Sequence, residues 1–127
     1  ATHRFVPTAW HNVLGTLPPA LIVASGDTVI TETIDAWGQD KGGVKLAGAP
    51  NPMNGPIAIE GASPGDSLRV EIVRMTPIRS TGWTRPVVSA LVVEPEFSRS
   101  LPPRDPVAIW SIDRQGGTTR LEMHRPR

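Results

Sequence analysis

The 127-residue sequence contains no cysteine, which excludes a disulfide framework, a thiolate zinc site and a cysteine nucleophile. Tyrosine is absent too, and aromatics make up only 5% of the chain, so no paired aromatic platform for stacking bases is in view. An excess of one charge is also lacking. Against 12 acidic residues stand 13 basic ones, and a formal net charge of +1 excludes strong electrostatic steering by the whole chain. Arg99, Arg104, Arg114, Arg120, Arg125 and Arg127 do gather toward the C-terminal end, but they alternate with apolar residues as a solvated strand face does, and no nucleic-acid partner is expected. The longest apolar runs, such as Ala20 to Ala24, fall far short of the roughly 18 residues of a membrane span. Ala1 to Gly15 lacks the basic start and apolar stretch of a secretory signal, so no membrane partner and a cytoplasmic location are expected. Phosphate loops, dinucleotide fingerprints and the Gly-x-Ser-x-Gly elbow are missing, which sets nucleotide chemistry aside.

What the chain does have is 14 prolines and 12 glycines spread along its length, with no extended window of helical apolar spacing. The runs between them are short and rich in valine, isoleucine and threonine. That pattern predicts an all-β fold, a β-sandwich or barrel-like domain with long Gly/Pro-rich loops, as one domain over residues 1–127. Strands are expected near Ala20–Ala24, Thr28–Ile34, Ile57–Glu60, Leu68–Met75, Val87–Val93, Val107–Asp113 and Thr118–His124. Two similar pieces, Ser25-Gly26-Asp27-Thr28-Val29 and Pro64-Gly65-Asp66-Ser67-Leu68, each read as a turn entering a strand, with the aspartate accepting backbone N–H groups. Trp37–Asn54 and Glu94–Pro106 read as long loops, which are uncommon in small domains unless they bind something or pack against another part of an assembly.

Three acids and one histidine stand out. In a strand over Thr28–Ile34, Glu32 shares a face with Ile30 and Ile34, so its carboxylate is paired, solvated at a sheet edge, or functional. Asp35 closes the same run ahead of Trp37-Gly38 and is either a turn aspartate or an acid facing a ligand. Glu60 ends Pro56-Ile57-Ala58-Ile59 before Gly61-Ala62, where small neighbours leave room around a carboxylate; a rim position explains it equally well. His11 lies between Trp10, which can shield it, and Asn12, which can orient it; an ordinary packing histidine is the alternative. No His-x-x-x-His pair is present.

The ordered set Pro18-Pro19, Ser25-Gly26-Asp27-Thr28-Val29, Glu32-Thr33-Ile34-Asp35-Ala36, Asn51-Pro52-Met53-Asn54-Gly55-Pro56-Ile57 and Ile59-Glu60-Gly61-Ala62-Ser63-Pro64-Gly65-Asp66 resembles the acetamidase/formamidase family. Gly82-Trp83-Thr84 and Val107-Ala108-Ile109-Trp110-Ser111-Ile112-Asp113 look like later segments of it, so the similarity runs from about Trp10 to Asp113. The resemblance implies hydrolysis of a short amide such as formamide or acetamide to a carboxylic acid and ammonia, with a divalent metal, most often zinc. Members of that family are typically more than twice as long. The chain therefore matches an N-terminal half, and a companion chain carrying the C-terminal half, or another copy, is expected in an oligomer. Asn51 stands where some relatives have histidine, which weakens that loop as a source of a metal ligand. On this footing Glu60 is the expected general base, framed by Ile59 and Ala62, with Asp35 and Glu32 as further catalytic acids. Asp35 and His11 are the expected metal ligands. The rival expectation is a non-catalytic β-sandwich module whose loops bind a ligand or protein.

Overall fold

Short β-branched runs bounded by glycine and proline favour strands, and strand far outweighs helix, 30% against 4%, so the fold is all-β. The computed structural model describes residues 1–85, 92–100 and 107–123. They fall into two compact units, Ala1–Val73 and Arg74–Arg127.

The first unit holds β1 (Thr2–Phe5), β2 (Leu21–Val23), β3 (Thr28–Thr31) and β4 (Ile57–Ile59). They make two separate parallel pairs, β1 with β3 and β2 with β4. β1 runs in register from Thr2 opposite Thr28 to Phe5 opposite Thr31. Its alternation turns His3 and Phe5 inward while Thr2 and Arg4 stay exposed. β2 matches Leu21 to Ile57 and Val23 to Ile59, and the ladder is extended by Ala20 N–H to Pro56 O and Glu60 N–H to Val23 O, each 2.8 Å. Val23 is the most buried apolar residue of this unit, at 5% exposure.

A tight turn joins β2 to β3. Asp27 N–H donates to Ala24 O and Ala24 N–H donates back to Asp27 Oδ2, both at 3.1 Å, while Gly26 takes a φ of +87°. The same carboxylate pairs with His3 Nε2 at 2.7 Å and with the amino group of Ala1. These bonds, the one from Ala1 foremost, then those from His3 and Ala24, hold the Asp27 carboxyl far below the usual carboxylate range.

The second unit is an antiparallel sheet in the order β5 (Thr81–Thr84), β6 (Ala108–Asp113), β7 (Thr118–Met123). Trp83 faces Ile109, and Trp110 Nε1 donates to Thr84 Oγ1 at 2.9 Å. Ala108 is its buried apolar residue, and a bulge falls between Ile109 and Trp110. A 3₁₀ turn at Ser98–Ser100 is the described helical piece of the Glu94–Pro106 loop.

Strands at Leu21–Val23, Ile57–Ile59, Ala108–Asp113 and Thr118–Met123 agree with the sequence reading. β3 ends at Thr31, three residues short of Ile34, and Leu68–Met75 pairs with nothing among the described residues. The strand expected at Val87–Val93 lies for the most part outside the described residues. β1 and β5 are additional. Both are polar or glycine-containing, and each exists because a neighbouring strand supplies backbone partners.

The β6–β7 hairpin turns on Asp113, whose Oδ1 accepts the N–H groups of Gln115 and Gly116 at 2.9 Å each. Those two bonds, Gly116 first, keep its carboxyl below the ordinary 3.8. Glu122 is held below 4.5 by the Ser111 hydroxyl and then by Arg120. Both groups therefore stabilise the folded sheet above the ordinary carboxylate range, and that contribution is lost as pH falls through their lowered values. Asp113→Ala is expected to remove exchange protection from the Gln115 and Gly116 amides and to flatten the acid limb of a thermal-unfolding series taken below about pH 4. Hydrogen exchange and the Trp110 fluorescence transition measure both.

Candidate functional site

Asp35, singled out in the sequence, begins a loop whose construction positions Asn12, Asn54 and the segment facing His11. The Oδ1 of Asp35 accepts Trp37 N–H and Gln39 N–H at 2.9 Å, and its own N–H donates to Gln39 O at 2.9 Å. Five residues on, Asp40 does the same: its Oδ1 accepts Gly42 N–H and Val44 N–H at 2.8 Å, and its N–H donates to Val44 O at 3.0 Å. Two aspartate-nucleated turns thus shape the loop locally, because a short carboxylate reaches the N–H two residues ahead without leaving its own backbone. Leu46 N–H and Ala47 N–H both reach Gly38 O, folding the distal part back onto the first turn.

Two asparagines tie this loop to the rest of the unit. Asn12 Nδ2 donates to Gly48 O (3.0 Å) and Pro50 O (2.6 Å). Asn54 Nδ2 donates to Thr31 Oγ1 (3.0 Å) and Glu32 O (3.1 Å), joining the loop's end to the end of β3. His11 and Met53 exchange both backbone hydrogen bonds at 2.9 Å, and the Ala49–Pro50 and Gly55–Pro56 peptides are cis. Between the His11 segment and Met53–Pro56 runs an open cleft of about 110 Å³, walled by His11, Leu14, Met53, Asn54 and Pro56. Beside it in sequence, Trp10 Nε1 is buried with no hydrogen-bond partner among the described residues. A donor left so costs about 1–3 kcal/mol, a cost relieved by any acceptor brought to it.

Of the four expected site residues, His11 alone lines the cleft. Asn12 does not orient it; its amide holds the loop instead. Glu32 lies beyond the end of β3, so no aliphatic strand face surrounds it. Its side chain is 64% exposed and both oxygens lie 3.2 Å from Lys41 Nζ. An exposed pair of this kind contributes little to stability. One oxygen of Asp35 is engaged in its turn. Glu60 is exposed at the end of β4 opposite the cleft, roughly 13 Å along the strand from Pro56. Among the described residues no group of three or more His, Asp or Glu side chains is placed to hold a metal ion.

Asn12, Asn54 and Lys41 escape sequence reasoning because an amide or ammonium anchor is recognisable only once its distant acceptor is in place. The Asp-x-x-Gly repeat at Asp35 and Asp40 is the signal that identifies the turns. Comparison with protein-family models, curated proteins and solved structures finds no match to the chain. Among the described residues no helix is long and apolar enough to cross a membrane.

Gly38 sits where the returning strand of the loop crosses the first turn: it has a φ of +83°, and a Cβ there would collide with the Ala47 carbonyl. Gly38→Ala is expected to destabilise the first unit by about 2 kcal/mol or more, through strain and steric conflict together. Gly15→Ala, whose Cβ would meet open space, is expected to shift stability by less than about 0.5 kcal/mol. Urea titration of both variants against the unaltered chain measures the difference.

Proposed function

We propose that this chain is the N-terminal half of an amide hydrolase of the acetamidase/formamidase kind. It would act on a short amide such as formamide or acetamide, with the rest of the site contributed by a companion chain. The observation that carries the reading is that Met53–Pro56, inside the Asn51–Ile57 segment of the family resemblance, line one open cleft together with His11. A cleft of about 110 Å³ suits a substrate of a few heavy atoms.

The reaction consumes one water, adds its oxygen to the carbonyl carbon and expels the amide nitrogen as ammonia. It needs a base to take the water's proton and a donor at the oxygen that gains charge. Glu60 remains the base of choice among the three acids, and because it lies roughly 13 Å along β4 from Pro56 it can act only on an amide that the companion chain holds at that end of the strand, beyond the cleft. Glu32 is neutralised by Lys41 and Asp35 is committed to its turn, whereas Glu60 has no ion pair or hydrogen bond to its carboxylate among the described residues. The apolar enclosure that makes a carboxylate an effective base must then come from the companion chain, because Glu60 is exposed here. A zinc or other divalent ion would likewise need donors from that chain, since the described residues assemble no donor set.

The test is ammonia release from formamide and acetamide by the intact assembly. Glu60→Gln is expected to lower turnover about 10²–10⁴-fold, the usual worth of a positioned base. Chelation that abolishes turnover places a metal in the companion's half. Turnover by Glu60→Gln equal to that of the unaltered assembly removes Glu60 as base. No ammonia from any short amide favours the other reading, a non-catalytic β module in which the Glu32–Lys41 pair and the Asp35 turn are structural only.

A further inference from the structure

The turn at Asp27 has a twin. At Ser63–Asp66, Asp66 N–H donates to Ser63 O (3.1 Å), Ser63 N–H donates back to Asp66 Oδ2 (2.8 Å), and Gly65 takes a φ of +98°. The bonding matches the Asp27 turn atom for atom. The Asp27 turn launches β3, which finds β1 beside it. The Asp66 turn launches residues 67–75, which find nothing: no backbone hydrogen bond joins them to any described residue. Leu68, Val70 and Ile72 alternate with Arg69 and Glu71 and are 66%, 74% and 69% exposed. Arg69 Nη2 and Glu71 Oε2 lie 4.0 Å apart, which places both on one side of an extended segment and the three aliphatics on the other. A β-forming run with a free backbone is a template for pairing with another chain.

We propose that this segment pairs antiparallel with the same segment of a second copy of the chain, about a two-fold axis at Val70. Directly opposed residues in such a pair then have numbers that sum to 140. Val70 meets Val70, Leu68 meets Ile72, Arg69 meets Glu71, Ser67 meets Val73 and Asp66 meets Arg74, each pair occurring twice except the first. Aliphatics oppose aliphatics on one face, and every opposed pair of charges is of opposite sign. Other alignments lose this. Shifting the axis to Arg69 or Glu71 sets two arginines or two glutamates face to face, and a parallel in-register pair does both at once. An axis between residues puts the aliphatic face of one strand on the charged face of the other. Self-complementarity about one point is what an isologous two-fold contact requires, and a partner of unrelated sequence has no need of it. Thr76-Pro77 ends the segment, since proline removes the next donor.

A single short strand pair covers less than the roughly 1,000 Å² of a stable dimer, so the association is weak and best trapped covalently. This contact stands independently of the amide-hydrolase reading. The absence of cysteine makes trapping unambiguous, because an introduced thiol is the only one. Single variants Leu68→Cys, Arg69→Cys, Val70→Cys, Glu71→Cys and Ile72→Cys, all at exposed positions, are oxidised mildly at the same concentration. Opposed Cα atoms lie about 4.5–5.5 Å apart, within disulfide reach, whereas Leu68 and its symmetry mate are about 13 Å apart. Val70→Cys is expected to form disulfide-linked dimer about tenfold faster than any other single variant. Mixtures of Leu68→Cys with Ile72→Cys, and of Arg69→Cys with Glu71→Cys, are expected to give the mixed dimer in preference to either homodimer. Adding Arg69→Glu to Val70→Cys is expected to slow trapping about tenfold, and adding Glu71→Arg as well to restore it, because the exchanged charges again oppose each other. A fastest position other than Val70, no rescue by the double exchange, or dimers of Val70→Cys no faster than those of its neighbours would each overturn the proposal. So would protection of the Val70→Cys thiol by a companion polypeptide, which would make that polypeptide the occupant while leaving the amide-hydrolase assay unaffected.

Discussion

Aspartate carboxylates bonded to nearby backbone N–H groups hold this chain in shape where a larger domain would rely on a packed interior. Asp27, Asp35, Asp40, Asp66 and Asp113 each close a turn, either by receiving the N–H three residues back or by receiving two N–H groups just ahead. The apolar alternative is thin. Val23 and Ala108 are the buried hydrophobic residues among those described, and no large side chain is fully buried. Each turn saves an ordered loop from leaving its donors unsatisfied, and each fixes the direction in which the next strand departs. Direction matters more than usual here, because strands of three to six residues contribute few ladder bonds of their own.

That constraint explains the pairing pattern. A strand is stable only where another backbone runs alongside, and the Asp27 turn succeeds because it delivers β3 next to β1, with Asp27 itself gripping His3 of that neighbour. The parallel pair of β2 and β4 needs a long crossover, and the chain between them contains β3 and the loop built on Asp35 and Asp40. The loop is thus part of the connection that a parallel topology demands. Its end returns to β3 through Asn54 and leads into β4 through Pro56, which is how Met53–Pro56 come to wall a cleft against His11.

Much of the fold is legible in the sequence. The two Gly-Asp echoes announce two identical turns, and the apolar runs at Leu21–Val23, Ile57–Ile59 and Ala108–Asp113 mark strands. Periodicity is weaker at saying where a strand stops, since β3 ends at Thr31 although the alternation continues to Ile34. It is silent on partners. Leu68–Met75 has the alternation of a strand and no mate among the described residues, while Thr2–Phe5 has little alternation in hydrophobicity and is a strand because β3 lies beside it. The candidate site is legible in part. His11 pairs with Met53 through the backbone and lines the cleft with it, and Asn12 and Asn54 do their work by reaching carbonyls and a hydroxyl 22 to 38 positions away. No local pattern encodes that.

The length of an acidic side chain separates structural from available carboxylates in this chain. Aspartate reaches an N–H two or three residues away while its own backbone stays in the turn, so an aspartate beside glycine already has a local task before any ligand arrives. Glutamate, one methylene longer, fits those turns poorly and must find a partner elsewhere or go without. Glu32 finds Lys41 nine residues on, across the Asp35 turn, and Glu122 finds Ser111 and Arg120 on its own sheet. Glu60 follows a strand whose last bond is its own N–H to Val23 O, and glycine comes next, offering no side chain to meet it. Asp35, by contrast, is occupied by the geometry that makes it conspicuous in the sequence. Among the described residues Glu60, at the end of β4, is thus a glutamate whose carboxylate has no such local structural task.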